Sequence, residues 1–320
     1  MNWNAKPILA IRLGAMGDII HALPAVASLK KSFPMQRLVW AVAPKWIPLL
    51  EGNPFVDEIL PFERKGWTQV SESWKRLRQV QPDLAVDFQG LVQSALVGRA
   101  AGARCFVGLD GQLAREWAAS LLYNKTVHAA GPHRVQRCLQ LAEAAGAKVL
   151  MEEAWIPEGS PEGELPTIPF VLTNPFAGWI SKQWPLEFYD QLGAMLVADG
   201  YALVANVPEA RAGELCRFRN LHPHISSLAG LIDATRKATA VIGVDSGPLH
   251  LAAALNKRGV AIYGPTDPMQ TGPYNSAMKV LRADNVRNSY KREDEIHPSM
   301  KSISVEMVAD ALRTSVLVNS

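Results

Sequence analysis

Cysteine is scarce in this 320-residue chain: Cys105, Cys138 and Cys216 stand far apart and form no C-x-x-C pair. That excludes a disulfide framework and a thiolate metal site, and it makes a reducing cytoplasm the simplest expected compartment. No apolar run approaches the roughly 20 residues of a membrane-spanning helix. The opening MNWNAKP lacks the basic-then-apolar layout of a signal peptide. H-E-x-x-H and any Cys/His cluster are missing, so no metal is expected. G-x-G-x-x-G and G-x-x-x-x-G-K-[ST] are missing too, which argues against NAD(P) dehydrogenases and P-loop enzymes. A G-x-S-x-G elbow is also lacking, so no serine hydrolase is indicated.

What remains is ordinary globular composition, 48% hydrophobic and 20% charged, enough for a sizeable core. A prior of roughly 150 residues per domain suggests two domains. The net charge of +3 hides an asymmetry: residues 1–150 carry 18 Lys and Arg against 11 Asp and Glu, and residues 151–320 carry 15 against 19. A basic first half suits an anionic partner or an anionic membrane surface. Uneven but inert surface charge explains it equally well.

Short apolar runs alternate with helical patterns along the first half. ILAIRL, RLVWAVAP, EILPF, DLAVDF and CFVGLD read as strands; IIHALPAVASLKKSF reads as a helix interrupted early by Pro24. WIPLLEGNP, WKRLRQVQ, SALVGRAAGA and HRVQRCLQLAEAAGA read as helices. The alternation fails over residues 150–168, rich in Pro, Gly and Glu, then restarts. PFVLTNPF, YALVANV, AVIGVDSG and GVAIYGP read as strands, and PLEFYDQLGAMLVADG, ARAGELCRFRNL, LIDATRKA, PLHLAAALN and VEMVADALRTSVL as helices. Strands alternating with helices predict parallel sheets covered on both faces, hence two Rossmann-like α/β halves.

In such sheets ligands bind beyond the carboxyl ends of the strands, where helix N-termini present free N–H groups. RLGAMGDIIH sits at such a place. Gly14 and Gly17 would let backbone approach a ligand, and Asp18 is a candidate general base. An N-capping aspartate is the commoner use of that residue there, and on these residues alone it carries more weight. His21 lies on roughly the same helical face and is given no proton-transfer role. A parallel arrangement recurs at residues 240–254, where Asp245, Ser246 and Gly247 follow a strand, Pro248 opens a helix and His250 lies one turn in. Free N–H groups at Ser246 and Gly247 suit a pyrophosphate. Lys182 can neutralise phosphate charge, and Glu209, just past a strand, can accept from ribose hydroxyls.

LGAMGDIIHALPA, DFQGLVQSALVGRAAGA, SKQWP, GVDSGPLHLAAAL and YGPTDP, in this order, resemble the ADP-heptose:lipopolysaccharide heptosyltransferases. AREWAASLLYNKTVH is most similar to their heptosyltransferase I branch. The resemblance implies a GT-B fold: an acceptor-binding Rossmann-like domain over residues 1–155, a linker at 156–168, an ADP-sugar-binding domain at 169–302, and a final helix in 303–320 that packs back on the first domain, with the two domains facing across a cleft. It implies an inverting glycosyltransferase that needs no cofactor and moves heptose from ADP-heptose to a Kdo residue on lipid A. Asp18 matches the family's proposed base. Lys182 matches its K-x-W-P lysine, and Asp245, Ser246, Gly247 and His250 match its D-[ST]-G-x-x-H donor motif. Glu209 matches an acidic ADP contact, with spacing one residue shorter. Gly178, Trp179 and Ser181 fall in the same donor segment. Arg64, Lys65, Arg115 and Arg134, with Gly14 and Gly17, are the acceptor and anion candidates. The implied working form is a cytoplasmic monomer, peripheral on the inner membrane, with no nucleic-acid partner. Gln93 stands where the family suggests lysine, Gly178 and Trp179 where heptosyltransferase I has threonines, and Ser246 where threonine is frequent. The competing readings are another enzyme of the same fold with a different acceptor or nucleotide sugar, an epimerase included, and a non-catalytic nucleotide-sugar binding protein.

Overall fold

A computed structural model describes residues 6–63 and 65–316. The chain forms two compact units, residues 1–157 and 158–320. In the first, the elements run β1 (Ile8–Ile11), α1 (Met16–Ser32), β2 (Leu38–Val42), β3 (Glu58–Pro61), α2 (Trp67–Val80), β4 (Leu84–Asp87), α3 (Val92–Ala100), β5 (Cys105–Leu109), β6 (Lys125–Val127) and α4 (Arg134–Ala144). The six strands are parallel in the order β3-β2-β1-β4-β5-β6. This is the Rossmann order, and its direction of winding reverses between β1 and β4. Loops leaving those two strands diverge, and the space between them is where such sheets take a ligand. Leu9, Ile11, Val39, Ala41, Ala85, Ala95 and Phe106 fill one face of the sheet, while α1 and α4 pack on each other.

The second unit repeats the plan. Its elements are β7 (Phe170–Thr173), α5 (Leu186–Ala198), β8 (Ala202–Val207), α6 (Glu209–Ala212), β9 (His222–Ile225), α7 (Leu228–Lys237), β10 (Ala240–Val244), α8 (Gly247–Ala254), β11 (Gly259–Tyr263), α9 (Pro268–Thr271), β12 (Lys279–Arg282), α10 (Pro298–Lys301) and α11 (Val305–Ser315). Its parallel order, β12-β11-β10-β7-β8-β9, is the same order seen from the other edge, with the reversal between β7 and β10. The two parallel α/β halves expected from the sequence are therefore present. The final helix α11 packs on α5, β11 and β12 within its own unit. Residues 159–162 are strapped to that unit as well: Ser160 N donates to the Ala229 carbonyl, and the Glu162 carboxylate accepts from Ser227 N and Oγ at 2.7 and 2.8 Å. Among the described residues no helix is long and apolar enough to cross a membrane.

Three local expectations need correction. Pro24 does not interrupt the first helix, because α1 runs unbroken from Met16 to Ser32. An interior proline removes one backbone bond at a cost of about 3 kcal/mol. Here nearly every residue from Met16 to Leu29 is buried, and tertiary packing outweighs the lost bond. ARAGELCRFRNL yields only the single turn α6 and a 3-10 turn at Gly213–Leu215, and WIPLLEGNP yields a 3-10 turn at Pro44–Leu49. Neither carries an apolar stripe long enough to anchor a longer helix. Strands β6, β9 and β12 escape the sequence pattern. All three lie at sheet edges with exposed, partly charged sequences, and β9 contains Pro223, which only an edge tolerates.

Close packing behind the first switch point gives a prediction. A Cβ on Gly98 of α3 would overlap the Phe106 ring. That ring stands edge-on to Tyr123 at 4.9 Å, and the Tyr123 ring covers Gly108. Helix propensity alone favours Gly98→Ala by about 1 kcal/mol, but overpacking typically costs about 1–3 kcal/mol. Urea unfolding should find Gly98→Ala less stable than wild type; a more stable variant would show that the ring stack has slack.

Candidate active site

At the first switch point β1 ends at Ile11, and the chain passes through Arg12, Leu13, Gly14 and Ala15 into α1. The Trp46 indole crosses this turn, its Nε1 only 2.8 Å from where a Cβ on Gly14 would lie. Gly14 thus serves the packing of its own turn. Gly17 is buried in the first turn of α1. The cap is Ala15, with no side-chain bond. Asp18 is therefore inside the helix and caps nothing, so the capping explanation fails and the residue needs another.

The Asp18 carboxylate, 12% exposed, is ringed by arginines. Arg12 meets Oδ2, Arg134 meets Oδ1, and Arg115 stands 3.7 Å from Oδ2. Arg12 is 5% exposed and fixed, because its Nη1 also donates to the Phe88 carbonyl at 2.6 Å. Arg134 and Arg115 are 36% and 53% exposed. Burial would raise the Asp18 pKa; Arg12 first, then Arg134, His21 and Arg115, outweigh it and hold the carboxyl well below the ordinary range. Arg134 is aimed by the start of α4, where His133 caps the helix: its Nδ1 accepts from Val135 N at 3.1 Å and its backbone N–H is held by Gln136. His21 is buried with its ring edge-on to His133 at 5.3 Å. Burial pushes the Cys138 thiol, one turn along α4, up to about 12, so it is no thiolate nucleophile at neutral pH.

The β4 side of the switch point braces this cage. Asp87 is fully buried and accepts from Ser94 Oγ at 2.7 Å, Tyr123 OH at 2.8 Å, Gln89 N at 2.8 Å and Gly90 N at 3.3 Å. The loop so fixed supplies the Phe88 carbonyl to Arg12, and Gln89 Oε1 accepts from Leu13 N at 2.8 Å. Gly90 O accepts from Glu116 N, and a Cβ on Gly90 would crowd the backbone of Ala114 and Arg115. Sequence reasoning missed Arg12, Asp87 and His133 as site residues. A charged residue ending the apolar run ILAIR was the available signal for Arg12. Of the other anion candidates, Lys65 is exposed before α2 and makes no ion pair with Asp18, while Arg64 lies outside the described residues.

The second unit places its cluster equivalently. Asp245 directly follows β10 and Lys182 lies in the 3-10 turn Ile180–Lys182 after β7, on either side of the reversal. Lys182 Nζ donates to Asp245 Oδ2 at 2.6 Å, and His250 Nε2 from α8 stands 3.6 Å from Oδ1. Burial would raise the Asp245 carboxyl, yet His250 and Lys182 hold it well below its usual range. Lys182 Nζ also lies 4.2 Å from the centre of the Trp179 ring, and the Arg292 guanidinium lies 5.3 Å from it. Ser246 caps α8 without a side-chain cap bond, and its buried Oγ has no hydrogen-bond partner; the same holds for the Oγ of Ser181. Gly247 is the first residue of α8. Unsatisfied hydroxyls beside a helix start and a lysine have the donor chemistry that phosphate oxygens accept from. Gly178 has open space where a Cβ would go, so no close approach requires glycine there. Glu209 is exposed at the start of α6, beyond β8.

The sequence model of glycosyltransferase family 9 (heptosyltransferase) matches residues 70–299. Lipopolysaccharide heptosyltransferase 1 of Pseudomonas aeruginosa is 29% identical over 300 residues, 87% of this chain and 84% of its own. Lipopolysaccharide heptosyltransferase 2 of Escherichia coli K12 is 27% identical over 352 residues, 97% of this chain and 98% of its own. Among solved structures, E. coli heptosyltransferase WaaC with ADP superposes with a TM-score of 0.77 at 25% identity, covering 97% of this chain and 100% of that one. The architecture is of the GT-B type.

The cage makes stability depend on pH with a defined sign. An unfolded aspartate titrates near 3.8, whereas folded Asp18 keeps its charge below that. On acidification the unfolded chain binds the proton first. The stabilisation is complete above pH ~4 and drains away as the pH falls towards the folded value. Urea unfolding should therefore show the stability gap between wild type and Asp18→Asn shrinking from about pH 7 to about pH 3. An equal gap at both would mean that charge pairing is not its source.

Proposed function

This chain belongs to glycosyltransferase family 9, the heptosyltransferases, and we propose that it moves heptose from ADP-heptose to a Kdo residue of the lipopolysaccharide inner core, with inversion at the anomeric carbon. The observation that carries this is Asp18, a carboxylate kept ionised at the first switch point with three guanidiniums around it. Asp18 takes the proton of the acceptor hydroxyl as its oxygen bonds the anomeric carbon. The bond from that carbon to the phosphate oxygen breaks, and ADP leaves with the electron pair. Arg115 and Arg134, with Lys65 and Arg64, meet the anionic groups of the acceptor.

The donor side rests on the second unit. The diphosphate lies against the start of α8 at Ser246 and Gly247, and Lys182 offsets the charge that grows on the leaving group. Asp245, steadied by His250, holds the Lys182 ammonium in place. Trp179 and Ser181 line the same turn, Gly178 leaves room beside it, and Glu209 receives the ribose hydroxyls. WaaC was solved with ADP, which supports a nucleotide-sugar donor here. Trp67, Trp117 and Leu121 are 96%, 67% and 73% exposed on the basic first unit, and that pairing of apolar tips with positive charge supports a transient seat on an anionic membrane surface.

The deciding assay is ADP release from ADP-heptose with and without deacylated Kdo-lipid A. Release that requires the acceptor is the expected result; no release with it sinks the acceptor assignment. Asp18→Asn should lower turnover by roughly 10²–10⁴-fold while donor binding stays close to wild type. Lys182→Met should instead weaken donor binding at least about tenfold, since a charge-assisted bond contributes about 1.5–3 kcal/mol. Unchanged donor affinity would remove Lys182 from the diphosphate site.

A further inference from the structure

A carboxylate bound by three guanidiniums is a poor base, because each cation stabilises the ionised form that must accept the proton. The cage is not uniform, however. Arg12 is 5% exposed and anchored to the Phe88 carbonyl. Arg134 and Arg115 reach Asp18 from solvent, with 36% and 53% of their side chains exposed, and Arg115 stands off at 3.7 Å. These pairs are part-buried, with Asp18 shielded and the guanidiniums open to solvent on their outer side; an arginine that can turn to solvent or to a second anion exchanges more readily than the enclosed Arg12, whose release would strand a buried charge.

We propose that Arg134, assisted by Arg115, makes the activity of Asp18 conditional on acceptor charge: an acceptor anion next to the attacking hydroxyl draws these guanidiniums off Asp18 and so turns the carboxylate into a working base. Arg12 stays in place and keeps the carboxylate oriented. The proposal rests on the reading of Asp18 as the base. It makes the arginines specificity determinants as well as acceptor contacts. A neutral acceptor, or water, leaves the cage closed, so the donor is protected from hydrolysis until the right acceptor arrives. The other charged or titratable groups facing Asp18 are His21 on α1, with His133 behind it, and Cys138 on α4. Neither histidine nor the thiol offers a cation as accessible as Arg134.

Two measurements test this. In the first, the Asp18 carboxyl carbon is followed by NMR at about pH 7 as free Kdo is added, with its C1 carboxamide as control, in the absence of donor. Saturating Kdo should move the Asp18 signal in the direction in which Arg134→Gln alone moves it, and the carboxamide should leave it in place. An Asp18 signal that saturating Kdo does not move, or a failure of Kdo to bind, overturns the exchange. In the second, ADP release from ADP-heptose is measured without acceptor. Arg134→Gln should raise this hydrolysis several-fold over wild type, and adding Asp18→Asn should abolish the rise. Arg134→Gln hydrolysis no faster than wild type overturns the gating. A wild type that releases no ADP even with Kdo-lipid A defeats the proposed function instead, and the NMR titration still decides the exchange on its own.

Discussion

A carboxylate taken out of water must find its compensation within the chain, and Asp87 at the end of β4, Asp245 just past β10 and Asp18 in the first turn of α1 find it in three ways. Asp87 is compensated by neutral donors alone: two hydroxyls and two backbone amides. Burial dominates there, and its pKa is raised. Asp245 is compensated by one ammonium and one imidazole. Asp18 is compensated by guanidiniums in excess of its own charge. The first arrangement is rigid and makes a brace. The other two are held by side-chain cations, and in the proposed mechanism those cations exchange partners with an incoming anion. Much of the chemistry of the molecule follows from that difference.

The brace and the cage are one construction. Asp87 shapes the loop after β4, and that loop holds Arg12 through Phe88, the turn before α1 through Gln89, and the segment bearing Arg115 through Gly90 and Glu116. Both strands flanking the reversal in winding order thus contribute to one carboxylate. The second unit uses the same geometry with different residues. Lys182 comes from the loop after β7 and Asp245 from the end of β10, which are the two strands that flank its own reversal. A ligand site at a switch point needs one group from each side, and each unit supplies such a pair.

Much of this was legible in the sequence. Alternating apolar runs and helical patterns gave both parallel sheets, because central strands buried on both faces are apolar throughout, as ILAI and AVIGV are. Three of the four edge strands were not legible for the converse reason: KTV, HPHI and KVLR are largely exposed and carry no such run, whereas the fourth, β3, was read from EILPF. Asp18 and Asp245 were identified, but Asp87 and the surroundings of all three were not. Strand order decides which loops meet, and no local pattern encodes it. Arg134 is 116 positions from Asp18, and only the packing of α4 on α1 brings them together. Arg12 was overlooked because an arginine at the end of a strand reads as a solvated terminus; in the fold it is nearly as buried as the core.

The proline in α1 follows from the same economy of space. A helix that carries the central carboxylate in its first turn must sit deep against the sheet, and α1 does so along almost its whole length. Depth removes the water that would otherwise weaken every pairing at Asp18. Ser28, one turn beyond Pro24, links the helix to the chain that follows it: its Oγ donates to the Pro24 carbonyl at 2.7 Å while accepting from Met151 N at 2.9 Å. The same hydroxyl therefore pins the chain just before it passes to the second unit. A single buried helix sets the position of Asp18 and the path of the connection, so a change at its middle is felt at both ends.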